Sequence, residues 1–345
     1  MPTALLYGST GYTGQLIARL ASDYGIQPIL AGRNRDKLAA QASQLGLDYR
    51  VFAVDGNADL RNVAVVLNCA GPFIHTAQPL AHACIQSRVH YVDITGEIEV
   101  FEALHARAAE AHAAHVLLMP GAGFDVVPSD CLAAHLKRRL PSATHLVLGI
   151  AGSGRLSHGT ASTMVEHAGR GGMIRRHGKL TRVKLAWRTR EIDFGYGPRK
   201  AVTIPWGDVA TSFYSTAIPN VEVYSVPPGP MRHIMKAARY FTWALRSARL
   251  KRFLQRRIRA GPAGPSEDEL RNGRSYVYGE VVDDDGNFEA ARFSGPNGYL
   301  LTAHAALLVV KRVLAGNAPP GFQTPSLAYG PDFALEVPHT SRSDL

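Results

Sequence analysis

The sequence predicts an α/β protein: a Rossmann-type doubly wound parallel sheet, then an α+β unit whose sheet is mostly antiparallel. Three observations carry this expectation. Between Ala4 and Met119, short apolar runs alternate with helix-spaced segments, which is the pattern of right-handed βαβ units. A glycine cluster, Gly8-Ser-Thr-Gly11-Tyr-Thr-Gly14, lies directly between the first strand and the first helix. After Pro141 longer runs rich in β-branched and aromatic residues take over, as a half-buried antiparallel sheet requires.

Taken in order, Ala4–Tyr7 is a strand that stops at Gly8, and Gly14–Tyr24 is a helix with Leu16, Ile17 and Leu20 on one face. Pro28–Ala31 is the second strand and Asp36–Leu45 the second helix. Strands at Arg50–Val54 and Ala64–Asn68 precede a helix over Gln78–Ser87. His90–Ile94, an Ala-rich helix over Glu97–His115 and Val116–Met119 complete the pattern. In the second half, strands are expected at Thr144–Ala151, Leu180–Trp187, Ala201–Pro205, Asn220–Val226 and Ser275–Val282. The last turns through Asp285-Gly286 into Phe288–Phe293, a hairpin. Tyr299–Leu314 reads as an amphipathic helix stopped by Gly316 and Pro319-Pro320. It has to bury its apolar face, so it is expected to return to the first domain. The expected division is residues 1–140 with 297–345 as the nucleotide-binding domain, and 141–296 as a substrate and dimerisation domain.

At 345 residues, with 46% hydrophobic and 19% charged, the chain can build two cores, which excludes disorder and collagen-like repeats. Cys69, Cys84 and Cys131 form no C-x-x-C pair and no zinc spacing, so no metal site is expected and the thiols read as reduced. No basic and apolar leader precedes the glycine cluster, and no run approaches the roughly 18–20 apolar residues of a spanning helix. A cytoplasmic protein is expected. The net charge of +10 is largely local: between Val223 and Ser266 there is no acidic residue and ten basic ones. A single basic block is not the spread charge of a nucleic-acid binder, so no nucleic acid is expected.

The glycine cluster has the context that gives such motifs meaning. Its first glycine permits a tight turn, its second a close approach of backbone to a pyrophosphate, and its third tight helix–strand packing. Gly8, Thr10, Gly11, Tyr12, Thr13 and Gly14 are therefore assigned to a dinucleotide. After the second strand, where NAD-binding domains place a carboxylate, the sequence reads Ala31-Gly32-Arg33-Asn34-Arg35. Arg33, with Arg35 as a second donor beside Asn34, suits a 2′-phosphate, so NADP(H) is the expected cofactor. Asn68, Ala70, Gly71, Pro72 and Phe73 end a strand where the nicotinamide ribose belongs. Tyr91, Asp93, Thr95 and Glu97, and then Gly121–Asp125, end the next two strands. All three loops are expected to converge on the nicotinamide.

At these residues the chain resembles the saccharopine-dehydrogenase-like NADP-binding oxidoreductases, in particular the trans-acting enoyl reductase branch. The matching stretches are Gly8–Gly14, Leu30–Arg33, Val66–Phe73, His90–Glu97, Gly121–Asp130, Gly298–Thr302 and Gly321–Ser326. The resemblance covers about half the chain and implies an NADP-dependent reductase whose last helix returns to the nucleotide-binding domain.

The chemistry is less specified. Tyr196-Gly-Pro-Arg-Lys200 has the spacing of a short-chain dehydrogenase pair, but Gly197-Pro198 breaks any helix, so the match reads as coincidence. Tyr91 and Asp125 at strand ends, and His158 at a helix start, are the candidate catalytic residues. Their structural alternatives are a core tyrosine, a helix cap and an ordinary surface histidine. The basic segment 231–259 mixes arginines with Tyr240, Phe241, Trp243 and Phe253. It suits peripheral contact with the inner membrane face, an acidic acyl-carrier protein or a CoA phosphate, or is a solvated helix face. Three readings remain: an NADPH-dependent enoyl reductase acting on an acyl, lipid or polyketide-like substrate; a saccharopine-type imine reductase; and a non-catalytic NADP-binding membrane-associated adaptor.

Overall fold

The computed structural model describes residues 3–54, 58–152, 155–167, 169–227, 229, 235 and 247–345. It divides into two units, Met1–Val127 with Tyr299–Ala328, and Pro128–Gly298 with Tyr329–Leu345.

The first unit is built on β1 (Thr3–Tyr7), β2 (Ile29–Gly32), β3 (Tyr49–Val51), β4 (Val63–Asn68), β5 (His90–Asp93) and β6 (Leu117–Met119). Among the described residues its sheet has seven strands, ordered Gly321–Phe322, β6, β5, β4, β1, β2, β3, and every pair is parallel. The order reverses between β1 and β4, and that switch point is where doubly wound sheets bind ligands. Tyr7 pairs with Asn68 and Asn68 with Asp93, so three carboxyl ends lie in one row. Leu5, Leu30, Val65, Val66, Val92 and Leu117 are wholly buried. They form the apolar centre onto which α1 (Tyr12–Leu20), α2 (Arg35–Leu45), α3 (Phe73–Ser87), α4 (Ile98–His105) and α5 (Ala108–Ala113) fold. Gly298–Leu314 is the returning helix, with Ala303, Ala305, Ala306, Val309 and Val310 buried. The two-residue strand after it extends the sheet beside β6.

The elements depart from expectation where partners distant in sequence decide. Helix α3 begins at Phe73, five residues before the expected start, and holds Pro79 in its interior. Its first turn is fixed from outside: the Glu97 carboxylate accepts from Phe73 N at 2.8 Å and Ile74 N at 2.9 Å. The expected helix over Glu97–His115 is two helices, interrupted at Ala106 and Arg107.

The domain boundary also moves. Helix α6 (Val127–Arg139) and the tail from Tyr329 belong to the second unit, not the first. Leu132 and Leu136 of α6 press on Gly279, where an added Cβ would lie 2.8 Å from Leu136 Cδ1. In the tail, Asp344 Oδ1 lies 2.7 Å from His135 Nε2 and Asp344 Oδ2 2.8 Å from an Arg139 nitrogen.

The second unit contains β7 (His145–Gly152), β8 (Gly172–Arg176), β9 (Lys179–Val183), β10 (Thr189–Asp193), β11 (Pro198–Thr203), β12 (Asn220–Ser225), β13 (Arg274–Val282) and β14 (Phe288–Pro296). Ser341–Asp344 pairs with β14. The sheet is mixed: β7 and β12 are parallel, and its other described pairs are antiparallel. The β13–β14 hairpin closes through Gly286, whose φ is +85°. The strand expected over Leu180–Trp187 ends at Val183, and Ala186 takes a φ of +50°. Strand β10 folds over the sheet: Arg190 pairs with Glu280 at 2.6 Å, and a Cβ on Gly149 would meet Ile192 Cδ1 at 2.9 Å. Among the described residues no helix is long and apolar enough to cross a membrane.

Candidate active site

The glycine turn is fastened on both sides. Gly8 N donates to Ala31 O at 2.8 Å, which ties it to β2, and Cys69 N donates to Tyr7 O at 2.8 Å, which ties β1 to the β4 loop. Gly8 has a φ of +78°, and a Cβ there would lie 2.8 Å from Ala70 N. At Gly14 a Cβ would be 2.4 Å from Gly8 O. Gly11 is different: it is exposed, and its Cβ would meet only Gly8 O, at 3.3 Å. Protein packing thus demands glycine at 8 and 14, whereas at 11 it leaves open the side from which an outside group can approach.

Gly11 is also the N-cap of α1, which has no side-chain cap and no acidic residue in its first turn. An uncapped, acid-free helix N-terminus presents positive charge to an anion. Thr10, Tyr12 and Thr13 are half-buried around it, and Tyr12 packs edge-on against Tyr299 with ring centres 5.2 Å apart. Arg33 and Arg35 are exposed just beyond β2. Asn34 caps α2, its Oδ1 accepting from Lys37 N at 2.9 Å, so its side chain is occupied in the helix start. These residues fit a dinucleotide carrying a 2′-phosphate. Gly8, Gly11 and Gly14 with Thr10, Tyr12 and Thr13 would cradle the pyrophosphate, and Arg33 with Arg35 would meet the extra phosphate.

Past the switch point, one buried network fastens the next loops. Asn68, wholly buried, accepts from Ala70 N at 3.0 Å and donates to Thr76 Oγ1 at 3.2 Å and to the Tyr91 hydroxyl at 3.1 Å. Thr76 Oγ1 donates to Ala70 O at 2.7 Å, so both backbone polar groups of Ala70 are held. The Tyr91 hydroxyl donates in turn to Asp93 Oδ2 at 2.8 Å. Asp93 Oδ1 accepts from Thr95 N at 2.9 Å and Gly121 N at 3.0 Å. Gly71-Pro72, a cis peptide, and Phe73 follow directly into α3. On the next loop Phe124 N donates to Thr302 Oγ1 at 2.9 Å, so the returning helix holds it.

Burial sets the electrostatics. It pushes the Asp93 carboxyl up to about 7, against the pull of its three donors. Asp125 is half-buried, and its carboxyl is also pushed up to about 7, chiefly by burial and then by the Glu97 charge. A Cβ on Gly96 would lie 2.7 Å from Asp125 Oδ2, so the carboxyl rests against that glycine backbone. Tyr91 is raised well above the ordinary phenol value by burial and by the Asp93 charge.

Two sequence candidates are held by neighbours within their own units. Tyr91 is wholly buried, its hydroxyl accepting from Asn68 Nδ2 and donating to Asp93 Oδ2, so it braces Asn68 against Asp93. His158 lies in the second unit, where a ring nitrogen sits 3.0 Å from Gly261 O and its backbone N–H bonds Ala263 O at 3.0 Å. It fastens a helix start. Tyr196 and Lys200 flank the start of β11 and share no helix. The importance of Glu97 as the carboxylate that fixes α3 and faces Asp125 went unread in the sequence, because its partners lie 23 to 28 residues away.

Residues 4–119 match the Saccharopine dehydrogenase NADP binding domain family. A "Trans-acting enoyl reductase" of Mycobacterium ulcerans is 35% identical over 150 residues, covering 39% of this chain and 35% of that protein. A mouse "Saccharopine dehydrogenase-like oxidoreductase" is 29% identical over 150 residues, covering 36% of this chain and 35% of its own. The matched stretch thus spans about a third of these relatives. Apo saccharopine dehydrogenase (L-Glu forming) from Saccharomyces cerevisiae aligns over 100% of both chains with a TM-score of 0.68 at 14% identity, a likeness of fold. Residues 4–119 are thus similar to the NADP-binding domain of saccharopine dehydrogenases, and the likeness beyond them is one of fold.

Proposed function

We propose that this chain is an NADPH-dependent oxidoreductase that reduces an activated C=C bond in an acyl, lipid or polyketide-like substrate presented as a thioester. The observation that carries the reading is the placement along the carboxyl ends of one parallel sheet, in strand order, of Arg33 after β2, an acid-free helix N-terminus after β1 and a proton-holding carboxyl at Asp125 after β6. The name borne by the mycobacterial relative supports the choice of bond.

Bound NADPH would supply the hydride for the β-carbon. The chain's residues do the rest. Gly8–Gly14 and Arg33 hold the phosphates, and the Asn68–Tyr91–Asp93 network keeps the Ala70–Phe73 and Gly121 loops in place. Asp125, whose pKa is pushed up to about 7, retains enough proton at neutral pH to donate one to the α-carbon. One hydride from the cofactor and one proton from the carboxyl would together saturate the bond, with NADPH as the reductant. We also assign the basic segment 231–259 to the anionic surface or carrier that presents such a chain.

NADPH consumption with a panel of enoyl thioesters of increasing chain length tests the reading. Thioester-dependent oxidation is expected. Oxidation only with imines formed from a keto acid and an amino acid would replace it with a saccharopine-type reaction. Tight NADPH binding without turnover would leave the adaptor.

A further inference from the structure

The second unit displays apolar side chains where a globular surface ordinarily hides them. Helix Ala248–Ala260 packs against helix His158–His167, with Lys251 3.7 Å from Glu166. Leu250, Leu254 and Ile258 are half-buried, as a docked helix face requires. Phe253 is 54% exposed. The neighbouring helix adds Met164, 59% exposed, and Leu156 just ahead of it is 51% exposed.

Charge decides what such a surface meets. Arg249, Arg256 and Arg257 lie three or four residues from Phe253, hence on the same side of the helix, and all three are exposed with Arg252. The Arg257 guanidinium lies 5.8 Å from the centre of the Phe253 ring. No acidic residue occurs between Val223 and Ser266. The upstream part, with Tyr240, Phe241 and Trp243, lies outside the described residues.

We infer that the exposed side of helix Ala248–Ala260, with Phe253 standing among Arg249, Arg252, Arg256 and Arg257, docks on an anionic lipid surface. Arginines alone would suit any polyanion. The large apolar side chain standing among them favours a phase into which it can insert, the combination by which interfacial helices bind membranes. A nucleic acid backbone offers arginine a phosphate but gives Phe253 no apolar phase to enter. An acidic carrier protein is the competing partner. The inference rests on the assignment of segment 231–259 proposed above and narrows it to a lipid surface; its failure would leave the proposed reaction untouched.

The full-length chain is sedimented with vesicles of phosphatidylcholine, with and without phosphatidylglycerol. Binding to the phosphatidylglycerol vesicles alone is expected. R252Q/R256Q/R257Q should lower the partition coefficient by about a hundredfold, and F253S several-fold at unchanged charge. No binding to anionic vesicles overturns the inference, and so does equal binding to both compositions. Loss with the arginine variant but none with F253S overturns insertion and leaves plain electrostatic adsorption. Retention by an immobilised acidic acyl-carrier protein, with none on vesicles, overturns it in favour of a carrier surface. All substituted residues are exposed, so circular dichroism and the unfolding midpoint should stay unchanged.

Discussion

The Tyr91 hydroxyl donates to Asp93 Oδ2 across 2.8 Å, with both side chains wholly buried at the carboxyl end of β5. This bond joins the loop after β4, through Asn68, to the loop after β6, through Gly121. A tyrosine at a strand end thus works as a brace between two loops, and the groups free to meet a ligand are those the brace positions.

Tyr91→Phe should therefore cost stability more than chemistry. It removes one donor and leaves Asp93 Oδ2 and Asn68 Nδ2 each short of a partner, a loss of about 1–3 kcal/mol. Urea unfolding should show that loss while kcat changes by only a few-fold. A hundredfold fall in kcat at unchanged stability would make Tyr91 the proton donor.

The same burial gives stability a pH dependence. Asp93 and Asp125 hold their protons up to about pH 7 when folded, against an ordinary value of 3.8. The folded state then binds more protons than the unfolded state between those values. Their contribution is fully present below about pH 4 and is lost as pH rises through about 7, with a slope no steeper than about 1.4 kcal/mol per pH unit per group. Urea midpoints measured from pH 4 to 8 should show this component falling, and Asp125→Asn should flatten its share. An unchanged slope in that variant would place its pKa near the ordinary value.

Arg33→Ala should weaken NADPH about ten- to a hundredfold, the worth of a charge-assisted pair to phosphate. NADH should change by no more than about two- to threefold on the same scale. Both affinities can be read by quenching or titration calorimetry. Equal losses would remove Arg33 from the 2′-phosphate.

The glycines separate folding from binding. In Gly14→Ala the new Cβ would lie 2.4 Å from Gly8 O and 2.8 Å from Ser9 Cα, both backbone atoms, so stability should fall by about 1–3 kcal/mol. In Gly11→Ala the nearest atom is 3.3 Å away, so the unfolding midpoint should hold while NADPH affinity drops. Retained affinity in Gly11→Ala would remove that glycine from the phosphate cradle.

Much of the first unit was legible because its strands are buried on both faces and read as apolar runs between turn signals. Gly8–Gly14 was legible because it lies between such a strand and a helix. What escaped was set by partners far along the chain. The Glu97 carboxylate supplies the first turn of α3 across 23 and 24 residues. The strand Gly321–Phe322 exists only through its pairing with Leu117 and Leu118. Pro141 suggested a boundary, yet α6 before it packs Leu132 and Leu136 on Gly279 of the second unit. Tyr91 was rightly placed at a strand end, but period and spacing cannot say where a hydroxyl proton goes.

The central claim is hydride transfer to an activated double bond. Purified protein incubated with 4-deuterated NADPH and enoyl thioesters, with the product analysed by mass, tests it most directly. One deuterium at the β-carbon of the saturated thioester is the predicted result. Saturation without deuterium at that carbon, or tight NADPH binding with no transfer to any thioester, would contradict it.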